Sequence, residues 1–104
     1  MIAQEFFDGL PGKFHADRAT GLDAAFQFHL TGDGGGTWHV VVRDGACAVE
    51  VGEHPAPTIA ITASAESWLK IVAGTMDPQT AFMMGRLKLK GDIGLAMRMR
   101  SLFF

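Results

Sequence analysis

An α+β domain is what this sequence predicts, on three observations. Between Ala24 and Val51 the large apolar residues fall on every second position, and Asp44-Gly45 divides two of these runs as a two-residue hairpin turn. From Ser64 onward, helix-start residues (Ser64, Asp77-Pro78, Asp92) each precede a stretch with apolar residues at helical spacing. At 104 residues, 48% of them hydrophobic, the chain is long enough for one core and too short for two, so residues 1–104 read as a single domain.

The elements follow in order. Residues 1–10 read as a short helix with Ile2, Phe6 and Leu10 on one side, ended by Pro11-Gly12. Residues 11–23 read as an irregular connector. A strand begins near Ala24, with Phe26, Phe28 and Leu30 on its apolar face and Ala25, Gln27, His29 and Thr31 on the other. The run Gly32-Asp33-Gly34-Gly35-Gly36 makes a turn. Trp38, Val40 and Val42 mark the second strand, and Cys47, Val49 and Val51 the third.

Turn length sets register. A two-residue turn at Asp44-Gly45 pairs Arg43 with Ala46, Val42 with Cys47, Val40 with Val49 and Trp38 with Val51. A glycine turn centred near Gly34 pairs Leu30 with Trp38, Phe28 with Val40 and His29 with His39. A fourth strand, Thr58 to Ala63, follows Pro55-Ala56-Pro57 and turns Ile59 and Ile61 inward. Ser64 caps a helix from Ala65 to Ala73, stopped by Gly74, whose stripe is Trp68, Leu69, Ile71 and Val72 opposite Glu66, Ser67 and Lys70.

The last quarter is the most distinctive part. Asp77-Pro78 opens a short helix that ends at Gly85, since proline at the first helical position loses no hydrogen bond. Leu87 and Leu89 alternate with Arg86, Lys88 and Lys90 as a strand. Asp92 then caps a helix from Ile93 to about Phe103. Its apolar residues (Ile93, Leu95, Ala96, Met97, Met99, Leu102, Phe103) cover more than half its circumference, so it is buried, lines a pocket or touches a partner or membrane.

Composition bounds the function. Charged residues are 19%, below the usual quarter, and no apolar run approaches the roughly 18–20 residues of a membrane span. The start, MIAQEFF, lacks the basic residues and apolar core of a secretion signal. One cysteine, Cys47, excludes an internal disulfide and fits the reducing cytoplasm. A net charge of −2 makes no case for nucleic acid. Residues 1–75 carry four Lys/Arg against nine Asp/Glu, whereas residues 76–104 carry five against two. That basic, methionine-rich end suits transient contact with an anionic membrane surface, although ordinary solvated charge is the plainer explanation.

Catalytic and metal chemistry find little support. His29, His39 and Glu50 fall together on the outer strand face and have zinc-ligand chemistry, but a strand face lacks a cleft, so a solvent-facing polar patch is the preferred reading. His15 and His54 complete no metal spacing. Cys47 points into the apolar core, where a thiol forms little thiolate. No nucleophile elbow, dinucleotide fingerprint or phosphate loop occurs. No catalytic residue, metal or cofactor is expected.

The segments AFMMG, RLKLKGD and IGLAM stand in an order and spacing that resembles the sterol carrier protein-2 family of lipid-transfer domains. Trp38-His39-Val40 before Asp44-Gly45 and the run from Gly21 to Phe28 are similar to further parts of the family pattern. The resemblance implies one five-stranded mixed sheet with helices covering one face and a hydrophobic tunnel between the layers. It implies walls formed by Phe26, Phe28, Trp38, Leu87 and Leu89 from the strands. From the helices it implies Trp68, Ile71, Val72, Phe82, Met83, Leu95, Met97, Met99 and Phe103. Methionine is flexible and polarizable, and five of the six methionines lie from Met76 onward, which suits varied apolar ligands.

Arg98 and Arg100 are the candidates for holding a lipid carboxylate or phosphate; surface charges favoured by the helix dipole are the plainer alternative. The chain ends Ser-Leu-Phe-Phe, without the Ser-Lys-Leu-like address of peroxisomal members. The expected function is intracellular carriage of a fatty acid, acyl-CoA, phospholipid, sterol-like or isoprenoid lipid, by a monomer or homodimer. The alternative is an interaction module that docks its apolar C-terminal helix onto an enzyme of lipid or quinone metabolism.

Overall fold

Hydrophobic periodicity becomes two layers in the computed structural model, which describes residues 2–103. The strands are β1 (Ala24–Thr31), β2 (Gly36–Arg43), β3 (Ala46–Val51), β4 (Ile59–Ser64) and β5 (Leu87–Gly91). The helices are α1 (Ala3–Lys13), α2 (Ala65–Val72), α3 (Pro78–Met83) and α4 (Ile93–Phe103), with a single 3-10 turn at Ala16–Arg18. The strands form one sheet in the order β3-β2-β1-β4-β5, parallel between β1 and β4 and antiparallel elsewhere. The fold is therefore α+β with one mixed five-stranded sheet, as the resemblance implies.

The helices lie on the sheet face that carries Phe26, Phe28, Val40, Ile59 and Ile61, all fully buried. Phe7 stacks on Trp38 with 4.5 Å between ring centroids and meets Phe28 edge-on at 5.1 Å. Trp68 sits 5.8 Å from Phe6 and 5.3 Å from Phe28, and Phe103 meets Phe26 at 5.9 Å. These rings occupy the space between the layers, and an open tunnel there is not displayed among the described residues.

Helix starts are capped as expected. Ser64 Oγ accepts from the Ser67 N–H at 3.0 Å, Asp77 Oδ2 from the Thr80 N–H at 2.9 Å and Asp92 Oδ1 from the Leu95 N–H at 3.2 Å. The hairpin at Asp44-Gly45 pairs Val42 with Cys47, Val40 with Val49 and Trp38 with Val51, again as expected. Val51, at the uncovered end of edge strand β3, is nevertheless 73% exposed.

Four expectations need correction. The first helix starts at Ala3 and runs through Pro11 to Lys13; Met1 lies outside the described residues. Its sheet-facing stripe is Ala3, Phe6, Phe7 and Leu10, so Ile2 falls off the buried side and is exposed. Pro11 sits in the last turn, where its missing N–H removes only one bond.

The glycine turn is also shorter than expected. Gly32 and Gly34 take positive φ, the Gly35 N–H closes on the Gly32 carbonyl at 3.0 Å, and Gly36 joins β2. Leu30 therefore pairs with Gly36 and Phe28 with Trp38, two residues from the expected register. An even shift keeps every inward residue inward.

The outer face is not an open polar patch. With the corrected register, His29 faces Thr37 and His39 faces Gln27. The crossover from β3 to β4 passes over this face, where the His54 N–H donates to Gln27 Oε1 at 2.9 Å and the His54 ring lies 5.4 Å from that of His39. His39 is thereby buried. Its Nδ1 donates to the Gly52 carbonyl at 2.9 Å and its Nε2 faces Glu50 Oε2 at 3.4 Å. The Thr58 N–H closes the crossover on the Ala25 carbonyl at 2.8 Å.

Finally, Ser67 is buried instead of facing solvent with Glu66 and Lys70. α2 continues directly from β4, so its first turn (Ala65, Ser67, Trp68) is pressed to the sheet, and only later residues rise away from it.

Candidate functional site

The apolar surplus of the last quarter divides between core and surface. On α4, Leu95, Met99, Leu102 and Phe103 are buried, while Met97 is 78% exposed and Ile93 is exposed beside it. Three further residues of the α3 end, Phe82, Met83 and Met84, are also exposed. Five of the seven large apolar residues that the fold leaves exposed among those described thus lie between Phe82 and Met97. Lys88 and Lys90 alternate with Leu87 and Leu89 on β5 and so turn to the sheet face away from the helices, where they discourage this edge strand from pairing with another chain.

The residues that the resemblance assigned to a tunnel therefore fall into three groups. Phe26, Phe28, Trp38, Trp68, Leu87, Leu95, Met99 and Phe103 are buried in the single core. Ile71, Val72 and Leu89 are half-buried against it. Phe82, Met83 and Met97 face outward. Met84 and Ile93 face outward as well; the unbroken run Phe82-Met83-Met84 ahead of Gly85 is the signal that points to the first of them.

The two arginines have partners in the fold. Arg98 Nη2 donates to the Arg18 carbonyl at 3.2 Å. Arg100 sits close enough to the start of α3 to act on Asp77. The Thr80 N–H and hydroxyl hold the Asp77 carboxyl below its usual range, and the Arg100 charge adds a smaller effect in the same direction.

The surface carries shallow depressions, two of which have defined linings. One of about 350 Å³ is lined by Ala16, Thr20, Gly21, Leu22, Asp23, Asp44 and Gly45, a loop surface of mixed polarity. The other, about 180 Å³, lies between α1 and β3, and its lining includes Phe7, Pro11, Trp38, Val49 and Val51. Trp38 and Trp68 each carry a buried indole N–H with no acceptor among the described residues. Phe7 was not singled out from the sequence; its spacing from Ala3 and Leu10 is the signal that would have found it.

Cys47 is half-buried, and burial pushes its thiol up to about 11, so it carries little thiolate near neutrality. No group of three or more His, Cys, Asp or Glu among the described residues is arranged to hold a metal ion. Among the described residues no helix is long and apolar enough to cross a membrane.

Comparison with known proteins gives a consistent family. The model described as the SCP-2 sterol transfer family matches residues 8–104. Hydroxysteroid dehydrogenase-like protein 2 of Xenopus tropicalis is 32% identical over 101 residues, which are 95% of this chain and 24% of that protein. The chain thus spans about a quarter of the length of the first curated relatives it matches. Among solved structures, the sec-alkylsulfatase Pisa1 from Pseudomonas sp. aligns with a TM-score of 0.86 at 24% identity, over 99% of this chain and 16% of that one. The palmitated SCP2L2 of Aedes aegypti, solved in solution by NMR, aligns with a TM-score of 0.76 at 22% identity, over 95% of this chain and 91% of that one. At such identities the two structures speak for the fold.

Proposed function

The chain belongs to the SCP-2 sterol transfer family, and from that membership we propose that it is a non-catalytic domain that binds one apolar lipid and exchanges it with membranes. The observation that carries this reading is the exposure of Phe82, Met83, Met84, Ile93 and Met97 within residues 76–104, a segment with five Lys/Arg against two Asp/Glu. Large flexible apolar side chains exposed in a basic segment suit a lipid surface that is apolar inside and anionic outside.

In this reading the ligand is a fatty acid, acyl-CoA, phospholipid, sterol-like or isoprenoid lipid, and the domain works in the cytoplasm as a monomer or homodimer. The palmitated state of the mosquito neighbour supports an acyl chain first. Burial of a chain contributes about 0.8 kcal/mol per methylene, and a micromolar complex requires about 8 kcal/mol. A chain of about a dozen carbons therefore suffices after ordering costs. The interior walls proposed for it are Phe26, Phe28, Trp38, Trp68, Leu87, Leu95, Met99 and Phe103, opened when α3 and the first turn of α4 lift from the sheet.

The test is native mass spectrometry of freshly purified protein, followed by denaturing extraction of what it carries. Adducts of a few hundred daltons that vanish on denaturation support a carrier. A clean mass that stays clean after incubation with fatty acid, acyl-CoA and isoprenoid lipid overturns it. A docking module is the second reading, favoured by the filled space between the layers. There the same patch covers a partner enzyme of lipid or quinone metabolism, and only the partner shields Met83 and Met97 from oxidation.

A further inference from the structure

We infer that the depression between α1 and β3 seats the polar end of the bound lipid, that the Trp38 indole N–H is its hydrogen-bond donor, and that the acceptor is a neutral carbonyl oxygen, as in an ester or ketone. This deepens the lipid-binding reading and rests on it.

The starting observation is an unpaired donor. Trp38 is 5% exposed, and its Nε1 has no acceptor among the described residues. Native interiors rarely leave a buried N–H unmatched, and such a group marks a place where something else supplies the acceptor. Trp68 has the same deficit but is enclosed by Phe6 and Phe28 and borders neither depression. Trp38 differs, because it lines the 180 Å³ depression; its Nε1 is itself closed to solvent, so a ligand carbonyl reaches it only where the wall side chains part.

The walls explain what would fit. Phe7, Pro11, Val49 and Val51 are apolar, and Gln4 and Asp8 stand at the α1 side, joined by a 2.8 Å hydrogen bond from Gln4 Nε2 to Asp8 Oδ1. The volume is below the usual range for a whole drug-sized ligand and fits a polar end with the first carbons of a chain. No Lys, Arg or His lines the depression, whereas the Asp8 carboxylate stands at its α1 side; the Glu50 carboxylate turns to His39 on the other face of the sheet. A carboxylate or phosphate placed there meets like charge and finds no cation to offset its loss of water. A neutral carbonyl accepts the indole N–H without that cost. Five of the nine Lys and Arg residues lie from Arg86 onward, on or beside β5 at the opposite sheet edge and on α4.

The experiment follows the indole N–H signals of the ¹⁵N-labelled protein, assigned with Trp38→Phe, while methyl palmitate, palmitate or hexadecane is added from phosphatidylcholine vesicles. Methyl palmitate should move the Trp38 N–H downfield, and hexadecane should not. Trp38→Phe should weaken methyl palmitate binding about three- to tenfold more than it weakens hexadecane binding, the worth of one hydrogen bond. Equal movement by ester and alkane, equal weakening of both, or tighter binding of palmitate than of its ester at pH 8 would overturn the inference. If the probes bind and the Trp38 signal stays in place, this inference fails alone. If none binds, the lipid-binding reading fails and takes it along. Should Trp38→Phe not fold, assignment by Trp68→Phe leaves the wild-type shift to decide.

Discussion

Arg18 and Arg98 are tied together through the main chain. Arg98 Nη2 donates to the Arg18 carbonyl at 3.2 Å, and Arg18 Nη1 donates to the Ser101 carbonyl at 3.1 Å. The His15 N–H adds a bond to the Leu102 carbonyl at 2.8 Å. The connector after α1 therefore clamps the last turn of α4, while Ile93 and Met97 at its other end stay exposed. Movement that admits a ligand belongs at α3 and the start of α4, because the far end of α4 is held.

Arg98→Ala should lower unfolding stability by about 0.5–1 kcal/mol, the net worth of an exposed hydrogen bond to a carbonyl. Arg98→Lys should recover little of it, since an ammonium lacks the planar fork of donors. Urea unfolding of both variants checks this. Full recovery by lysine would show that charge, and not the tie to Arg18, is what Arg98 supplies.

Met97 and Met99 separate surface from core on one helix. Met97→Asp should leave the thermal midpoint nearly unchanged, because that side chain is 78% exposed, yet slow fatty-acid transfer to anionic vesicles several-fold. Met99→Asp places a carboxylate in a site that is only 8% exposed and should cost about 3 kcal/mol or more. Thermal unfolding beside a vesicle transfer assay gives both readouts; transfer unaffected by Met97→Asp would remove the patch from the function.

Cys47 sets an alkaline limit. Its thiol has a pKa raised to about 11 in the folded chain, against 9.0 for the free group. The unfolded chain therefore releases this proton first, so the stability linked to the thiol is fully present below pH 9 and is lost as pH rises towards 11. Cys47→Ala should flatten that part of the profile, as followed by denaturant midpoints between pH 8 and 11. Thiol labelling at pH 8 should be slow in the folded protein and fast in urea.

Gln27 holds the crossover to the outer face through the His54 N–H. Gln27→Leu should leave that N–H without its partner, lowering stability by about 1 kcal/mol. Amide hydrogen exchange should quicken at His54 with little change at Val40. Uniform quickening would mean that the crossover opens only with the whole domain.

The candidate site was legible in part. The apolar surplus of α4 and the run Phe82-Met83-Met84 are visible as letters, and the caps at Asp77 and Asp92 place the helices that carry them. Which methionine faces out was not legible, since Met97 and Met99 both lie on apolar arcs of the same wheel. The Arg18 clamp selects between them, and it joins residues 80 positions apart.

What the sequence by itself determined is whatever neighbours within a few residues decide. Period-two alternation makes the strands, capping oxygens start the helices, and the two-residue turn at Asp44-Gly45 sets the β2–β3 register because its length leaves one way to close. Only the tertiary structure decided the order β3-β2-β1-β4-β5, the burial of His39 under the crossover and the unmatched N–H of Trp38. These depend on segments that are distant along the chain and meet once the two layers are packed. Burial is a property of that meeting and not of any local pattern.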